Sequence, residues 1–213
     1  MNQFGTNPWG AQGGSASAAP PSFRIQSFTS SITVAEKGTS ANPALSWAYL
    51  NGTPVSQDIS GIGSIPNAQR TVTVPTPITD TTSFTLTASD GIVSRTAGVT
   101  TNFYYPIYIG DVVSAAPSEP ELLAMTKKVQ GSNNFSHDFI IENARTAIAI
   151  HSSIPLTNFD IKESLFNLSI LSSFTKYENV NLTTNAGVQP YTVFIFNTLQ
   201  HTSGQVQKLN FNF

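Results

Sequence analysis

Three histidines, His137, His151 and His201, are the only side chains in this 213-residue sequence suited to acid–base work or zinc binding at neutral pH. None lies four residues from another, and no HExxH spacing is present. His137 and Asp138 are adjacent, but neighbours on a strand point to opposite faces. Ser173 and Lys176 in "SFTK" match the S-x-x-K spacing of Ser/Lys acyl-transfer enzymes, which requires a helix start. Here the stretch follows a strand pattern and precedes the loop-like "YENVNLTTNAG", and the partner motifs are missing. "GIG" at Gly61–Gly63 is a lone G-x-G with no helix after it, and reads as a loop tip. Paired carboxylates could cleave glycosides. Asp58, Asp80 and Asp90, however, fall in turn signals of the first half, and Asp160 and Glu163 share one loop of the second. With no cysteine, disulfides, thiolate metal sites and thiol catalysis are excluded together. The sequence therefore predicts no catalytic residue, no cofactor and no metal.

Composition narrows the field further. Only 10% of residues are charged, against roughly 25% in ordinary soluble domains. Ser, Thr, Asn and Gln take their place, which suits strands that meet other chains. Net charge is −2 and there is no basic block, so nucleic acid and anionic lipid have no electrostatic footprint to bind. No apolar run is long enough for a membrane-spanning helix, and the start of the sequence has no signal-peptide pattern.

The elements that would position any site are strands. Residues 1–21 are rich in Gly, Ala, Ser and Pro and read as an extended leader and linker. From Ser22 short alternating segments follow, punctuated by Gly, Pro and Asn. Leu45, Trp47 and Tyr49 share one strand face, as do Val72 and Val74, and Phe84, Leu86 and Ala88. Asn51-Gly52 and Asp90-Gly91 are hairpin signals, because glycine takes a positive φ without steric cost. Strands at this spacing predict an all-β sandwich over 22–110. Trp47 is expected in its core, with ligand stacking as the sharper alternative. The segment "VTTNFYYPIYIG" reads as its final strand. Its aromatics fall on both faces, so Tyr104, Tyr105 and Tyr108 are expected at an interdomain or subunit contact.

The prolines and small residues of "GDVVSAAPSEP" suggest a connector, with a short helix or turn near Pro120–Met125. Strand patterns resume over 111–213, with Phe139/Ile141, Ile148/Ile150, Phe166/Leu168/Ile170 and Leu209/Phe211/Phe213 as inward residues of a second β-sandwich-like domain. "YTVFIFN" is apolar on both faces, as in a central strand covered on both sides or one that faces another subunit. Phe194 and Phe196 are read as part of a subunit or interdomain interface. In the leader, "FGTNPWG" places Phe4 and Trp9 as apolar anchors, with Asn7 and Pro8 letting the backbone bend to a surface it did not shape.

The run "SFTSS…LSWAYLNGTPVSQDISG…TTSFTLTASDG…FYYPIYIGD" resembles the immunoglobulin-like module of tailed-bacteriophage structural proteins. There a Trp-bearing strand precedes a polar turn, and an "LTASDG"-like strand precedes a final aromatic strand. The second half is similar to the β-domain that follows this module in the same proteins. This sequence departs from the pattern in its less aromatic "IGD" ending, and it lacks the cysteine pair of antibody domains. The resemblance implies a non-enzymatic virion-surface component, often a homotrimer: a tail fibre or baseplate appendage. A head fibre decorating the capsid, or an adhesin for host-surface glycan, are the alternatives. Its implied partners are other virion proteins, met through the leader, and copies of itself.

Overall fold

The computed structural model describes residues 22–129, 134–141, 143–199 and 205–213. The anchoring residues expected in the leader, Phe4, Asn7, Pro8 and Trp9, and also His201, lie outside the described residues.

The chain is all-β, in two sandwiches. The first contains β1 (Arg24–Ser30), β2 (Val34–Glu36), β3 (Ala44–Leu50), β4 (Ser56–Ile59), β5 (Gly63–Ser64), β6 (Thr71–Thr73), β7 (Thr82–Ser89) and β8 (Ser94–Tyr104). One sheet has the order β1-β3-β6 and the other β2-β8-β7-β4-β5. All pairings are antiparallel except β2 with β8. The alternation in β7 buries Phe84, Leu86 and Ala88 and leaves the intervening threonines exposed, as period-2 patterning dictates. Leu45 and Trp47 enter the same core from β3, joined by Phe28, Ile59 and Val74. Trp47 is 4% exposed, and its indole N–H donates to Gln57 Oε1 at 3.0 Å. Its ring faces the core, which leaves the stacking alternative no free face.

Gln57 explains why a polar residue is tolerated there. Its amide oxygen accepts from Trp47 and from the Tyr49 hydroxyl (2.7 Å), and its amide nitrogen donates to the carbonyls of Pro66 (2.5 Å) and Gln69 (3.0 Å). Both ends of the buried amide are thus satisfied. At the β7–β8 turn, Gly91 sits at φ +92°, and Asp90 Oδ1 accepts from the backbone N–H groups of Ile92 and Val93. This is the Asp-Gly hairpin that the sequence predicts.

The second sandwich contains β9 (Ile107–Val112), α1 (Glu119–Leu123), β10 (Thr126–Lys128), β11 (Phe135–Ile141), β12 (Arg145–His151), β13 (Asp160–Glu163), β14 (Phe174–Thr184), β15 (Gly187–Phe196) and β16 (Gln205–Asn212). Its sheets are ordered β10-β9-β12-β15-β14 and β11-β16-β13. Ile109, Ile148, Ile150 and Phe194 of the larger sheet pack against Phe139, Ile161, Leu209 and Phe211 of the smaller. The opposite face of the larger sheet carries Tyr108, Ala147, Ala149, Tyr191 and Val193, and Leu122 and Met125 from the α1 segment cover it.

Three expectations are corrected here. The strand after Pro106 does not complete the first sandwich: β9 pairs with β10 and β12, so the second sandwich begins before residue 111. The two-faced apolar run of β15 is explained by cover within the chain. Phe194 is buried between the sheets, and Phe196 packs partly buried on the same core. Neither forms an outward subunit face. Finally, Phe166 and Leu168 are not inward strand residues: they lie in an exposed turn between β13 and β14.

The helical cue proves real and short. The Ser118 N–H donates to the Glu121 carboxylate at 2.8 Å, satisfying one of the orphan groups at the helix start. The Glu119 carboxylate accepts from Thr183 N–H at 2.6 Å, tying the helix to β14. Among the described residues no helix is long and apolar enough to cross a membrane.

Candidate functional site

The residues singled out in "FYYPIYIGD" converge on the seam between the sandwiches. Pro106 has no N–H to give a ladder and biases Tyr105 toward extended backbone, so β8 ends at Tyr104. The chain then re-enters a different sheet. The Pro106 carbonyl accepts a hydrogen bond from the Tyr191 hydroxyl at 3.1 Å. Tyr191 is fully buried, and burial pushes its phenol far above the ordinary range, so it stays a neutral donor. The second sandwich thereby holds the crossover point from inside its own core.

Tyr105 stacks on His151 with ring centroids 3.6 Å apart and planes 5° from parallel. His151 Nδ1 lies 3.1 Å from the Ser153 N–H, which donates to it, and 2.7 Å from Ser153 Oγ. That nitrogen is therefore the unprotonated one. Nε2 carries the hydrogen and faces Gln189 Oε1 at 3.4 Å. Burial lowers the pKa of this imidazole, partly offset by the Gln189 contact. His151 is accordingly a neutral, hydrogen-bonded packing partner of the seam. Tyr108, buried beneath α1, lies along the same seam, and burial followed by the nearby Glu36 carboxylate raises its pKa.

Two further contacts fasten the seam. Lys127, on the edge strand β10 of the second sandwich, bonds Glu36 of β2 at 2.7 Å. Gly38, in the turn after β2, lies against the β14–β15 turn so closely that a Cβ built there would sit 2.2 Å from Ala186 N. Only glycine fits, both for that approach and for its φ of +89°.

Beside these contacts a cleft of about 540 Å³ opens between the sandwiches. Phe103, Ile107, Ile154, Pro155 and Phe213 contribute apolar surface, Tyr104 and Tyr105 line it from the crossover, and Ser153, Thr157 and Asn158 bring polar groups. Lys37 also borders it and pairs with Asp80. Phe213 is half-buried: it packs on the core beside Phe135 and Phe159, as its inward reading expects, and also borders the cleft. No family model, curated protein or solved structure matches the chain.

The remaining chemistry-bearing residues are dispersed. His137 packs edge-on against Phe139 at 4.7 Å, and burial and then Lys128 lower its pKa. Ser173 ends a 3₁₀ turn, while Lys176 lies on β14 and pairs with Glu178 at 2.5 Å. Asp160 accepts from Ser169 Oγ, and Glu163 from the N–H groups of Leu165 and Phe166, so both carboxylates brace one turn. Among the described residues no three His, Cys, Asp or Glu side chains are grouped to hold a metal. The feature sequence reasoning missed is that turn itself. Asn167 at φ +55° marks it, an αL residue of the type asparagine tolerates.

Proposed function

We propose that this chain is a non-enzymatic structural component of a tailed-phage virion. In this reading it projects as a homotrimeric tail fibre or baseplate appendage, and the leader with Phe4, Asn7, Pro8 and Trp9 holds it to neighbouring virion proteins. The observation that carries the reading is the fastened seam. Two sandwiches joined by one peptide would ordinarily move relative to one another. Here Pro106, the Tyr191 bond to its carbonyl, the Glu36–Lys127 pair and the glycine-only contact at Gly38 join them into one stiff unit. Stiffness suits a part that transmits position and force, and the low charge suits one that meets other chains.

Guanidine dissociation of purified particles into heads and tails, followed by gel and mass-spectrometric detection of this chain, tests the reading. Recovery in the tail fraction is the expected result. Recovery with heads would move the chain to a capsid-decorating role, and absence from both would overturn the proposal. The tyrosine-lined cleft is the observation that favours glycan adhesion as a second reading. A glycan array probed with the intact protein, with Tyr105→Ala as control, tests that alternative.

A further inference from the structure

The turn between β13 and β14 displays Leu165, Phe166 and Leu168 at 78%, 71% and 62% exposure. Three large apolar side chains on one short turn are unusual for a free surface and mark a contact site. The turn is also rigid. The Glu163 carboxylate accepts from two of its N–H groups, the Glu163 N–H donates to the Leu168 carbonyl at 3.0 Å, and the Ser164 N–H donates to the Lys208 carbonyl at 3.2 Å. The Asp160–Ser169 hydrogen bond (2.5 Å) closes its base. This knuckle is held out in advance, so little ordering entropy opposes its insertion.

The same molecule carries a receptor for such side chains, the cleft between the sandwiches, walled in part by apolar Phe103, Ile107, Ile154, Pro155 and Phe213. Knuckle and cleft lie at opposite ends of β13. Asp160 pairs with Asn212 beside the cleft-lining Phe213, whereas Glu163 pairs with Leu209 beside the knuckle. Three strand residues place them about 10 Å apart before the turn adds its own length, and the bonds just named prevent the knuckle from folding back. It cannot fill its own cleft.

We propose that the knuckle seats in the interdomain cleft of a second copy of this chain, head to tail. The proposal rests on the assembly reading above and names the contact. Surface area favours a second copy repeated around a ring over an isolated pair. An aromatic side chain buries about 150–250 Å², so one knuckle falls short of the roughly 1,200–2,000 Å² of a stable pairwise interface. Because donor and acceptor surfaces differ, each copy gives one contact and receives one, and a closed ring follows when the rotation allows it. Closure makes each contact intramolecular with respect to the others.

The sequence has no cysteine, which makes the test clean. The full chain carrying both Phe166→Cys and Pro155→Cys, one on the knuckle and one at the cleft, is oxidised and run on a non-reducing gel. The expected result is a covalent ladder extending beyond the dimer, with neither single variant producing it. Phe166→Ser should retain the wild-type melting temperature, since the side chain is exposed. It should also shift the assembly midpoint by light scattering at least about ten-fold in concentration. Phe4→Ser with Trp9→Ser in the full chain should leave the assembly intact. Four results would each overturn the proposal: a wild-type monomer at micromolar concentration, a dimer from Phe166→Cys alone, assembly indifferent to Phe166→Ser, or assembly lost through the leader substitutions. A chain absent from particles that still cross-links would sink the virion reading and leave this contact standing. A virion chain that assembles without the cross-link would do the reverse.

Discussion

Replacing Gly38 with alanine should uncouple the two sandwiches while leaving each folded. Gly38 has φ +89°, where an L-residue costs about 1–2 kcal/mol in backbone strain alone. Its new Cβ would lie 2.2 Å from Ala186 N and 2.3 Å from the Asn185 carbonyl carbon, whereas non-bonded atoms rest at about 3.5–4.0 Å. Both obstacles are backbone, so no rotamer change relieves the overlap, and the seam opens instead. The extra cost is then bounded by what the seam contributes. The part-exposed Glu36–Lys127 pair supplies about 0.2–1 kcal/mol, and the Tyr105–His151 stack about 0.5–1.5 kcal/mol. Gly38→Ala should therefore cost up to about 0.7–2.5 kcal/mol beyond backbone strain. Gly61→Ala isolates that strain, because Gly61 has φ +78° and nothing within 4 Å of its would-be Cβ. Urea unfolding of both variants gives the difference. Dyes on Ile92→Cys and Val188→Cys, exposed positions on different sandwiches, report the distance distribution between them. Broadening is expected for Gly38→Ala only. Equal stabilities and equal distributions in the two variants would show that the contact at Gly38 does not hold the sandwiches together.

Two other perturbations probe the buried polar groups. Gln57→Leu removes the partner of the Trp47 indole N–H, the Tyr49 hydroxyl and the two loop carbonyls. A buried unsatisfied group costs about 1–3 kcal/mol. Since Tyr49 and the loop retain some access to water, a total of about 2–4 kcal/mol is expected in urea midpoint at unchanged m-value; a change below about 0.5 kcal/mol would contradict the network. His151 holds its imidazole neutral through burial, so below its ordinary value the unfolded chain binds more protons than the folded one. Its stabilising contribution is complete above about pH 6.5 and is lost as pH falls beneath that value. His137 is shifted in the same direction, by burial and Lys128, and adds to the slope. Melting temperatures from neutral to mildly acidic pH should fall less steeply in His151→Gln, and an unchanged slope would sink the assignment.

Much of the fold was legible because burial on one sheet face writes a period of two into the residues. Phe84, Leu86 and Ala88 on β7 and Leu45 and Trp47 on β3 were readable in this way, as was the Asp90-Gly91 turn. The partner of each strand was not. Alternation through "NFYYPIYIG" looks continuous, yet Pro106 ends one ladder, and only the pairing of β9 with β12 reveals the change of sheet. The same limit governed the seam: Tyr105 meets His151, and Gly38 meets Ala186, across separations that local pattern does not encode. "YTVFIFN" left two solutions open, and the cover supplied by α1 decided between them. Phe166 and Leu168 misled because apolar alternation describes a turn flanked by leucines as well as a strand. Asn167 was the one local sign that the chain reverses there.

The virion role proposed above has a direct test in the particles themselves. Quantitative mass spectrometry of gradient-purified phage particles, with labelled peptides of the chain as internal standards, tests it most directly. A homotrimeric virion component should be present at a fixed copy number per particle that is a multiple of three and survives repeated banding. Loss of the chain on rebanding, or its presence only in the soluble lysate, would contradict that role.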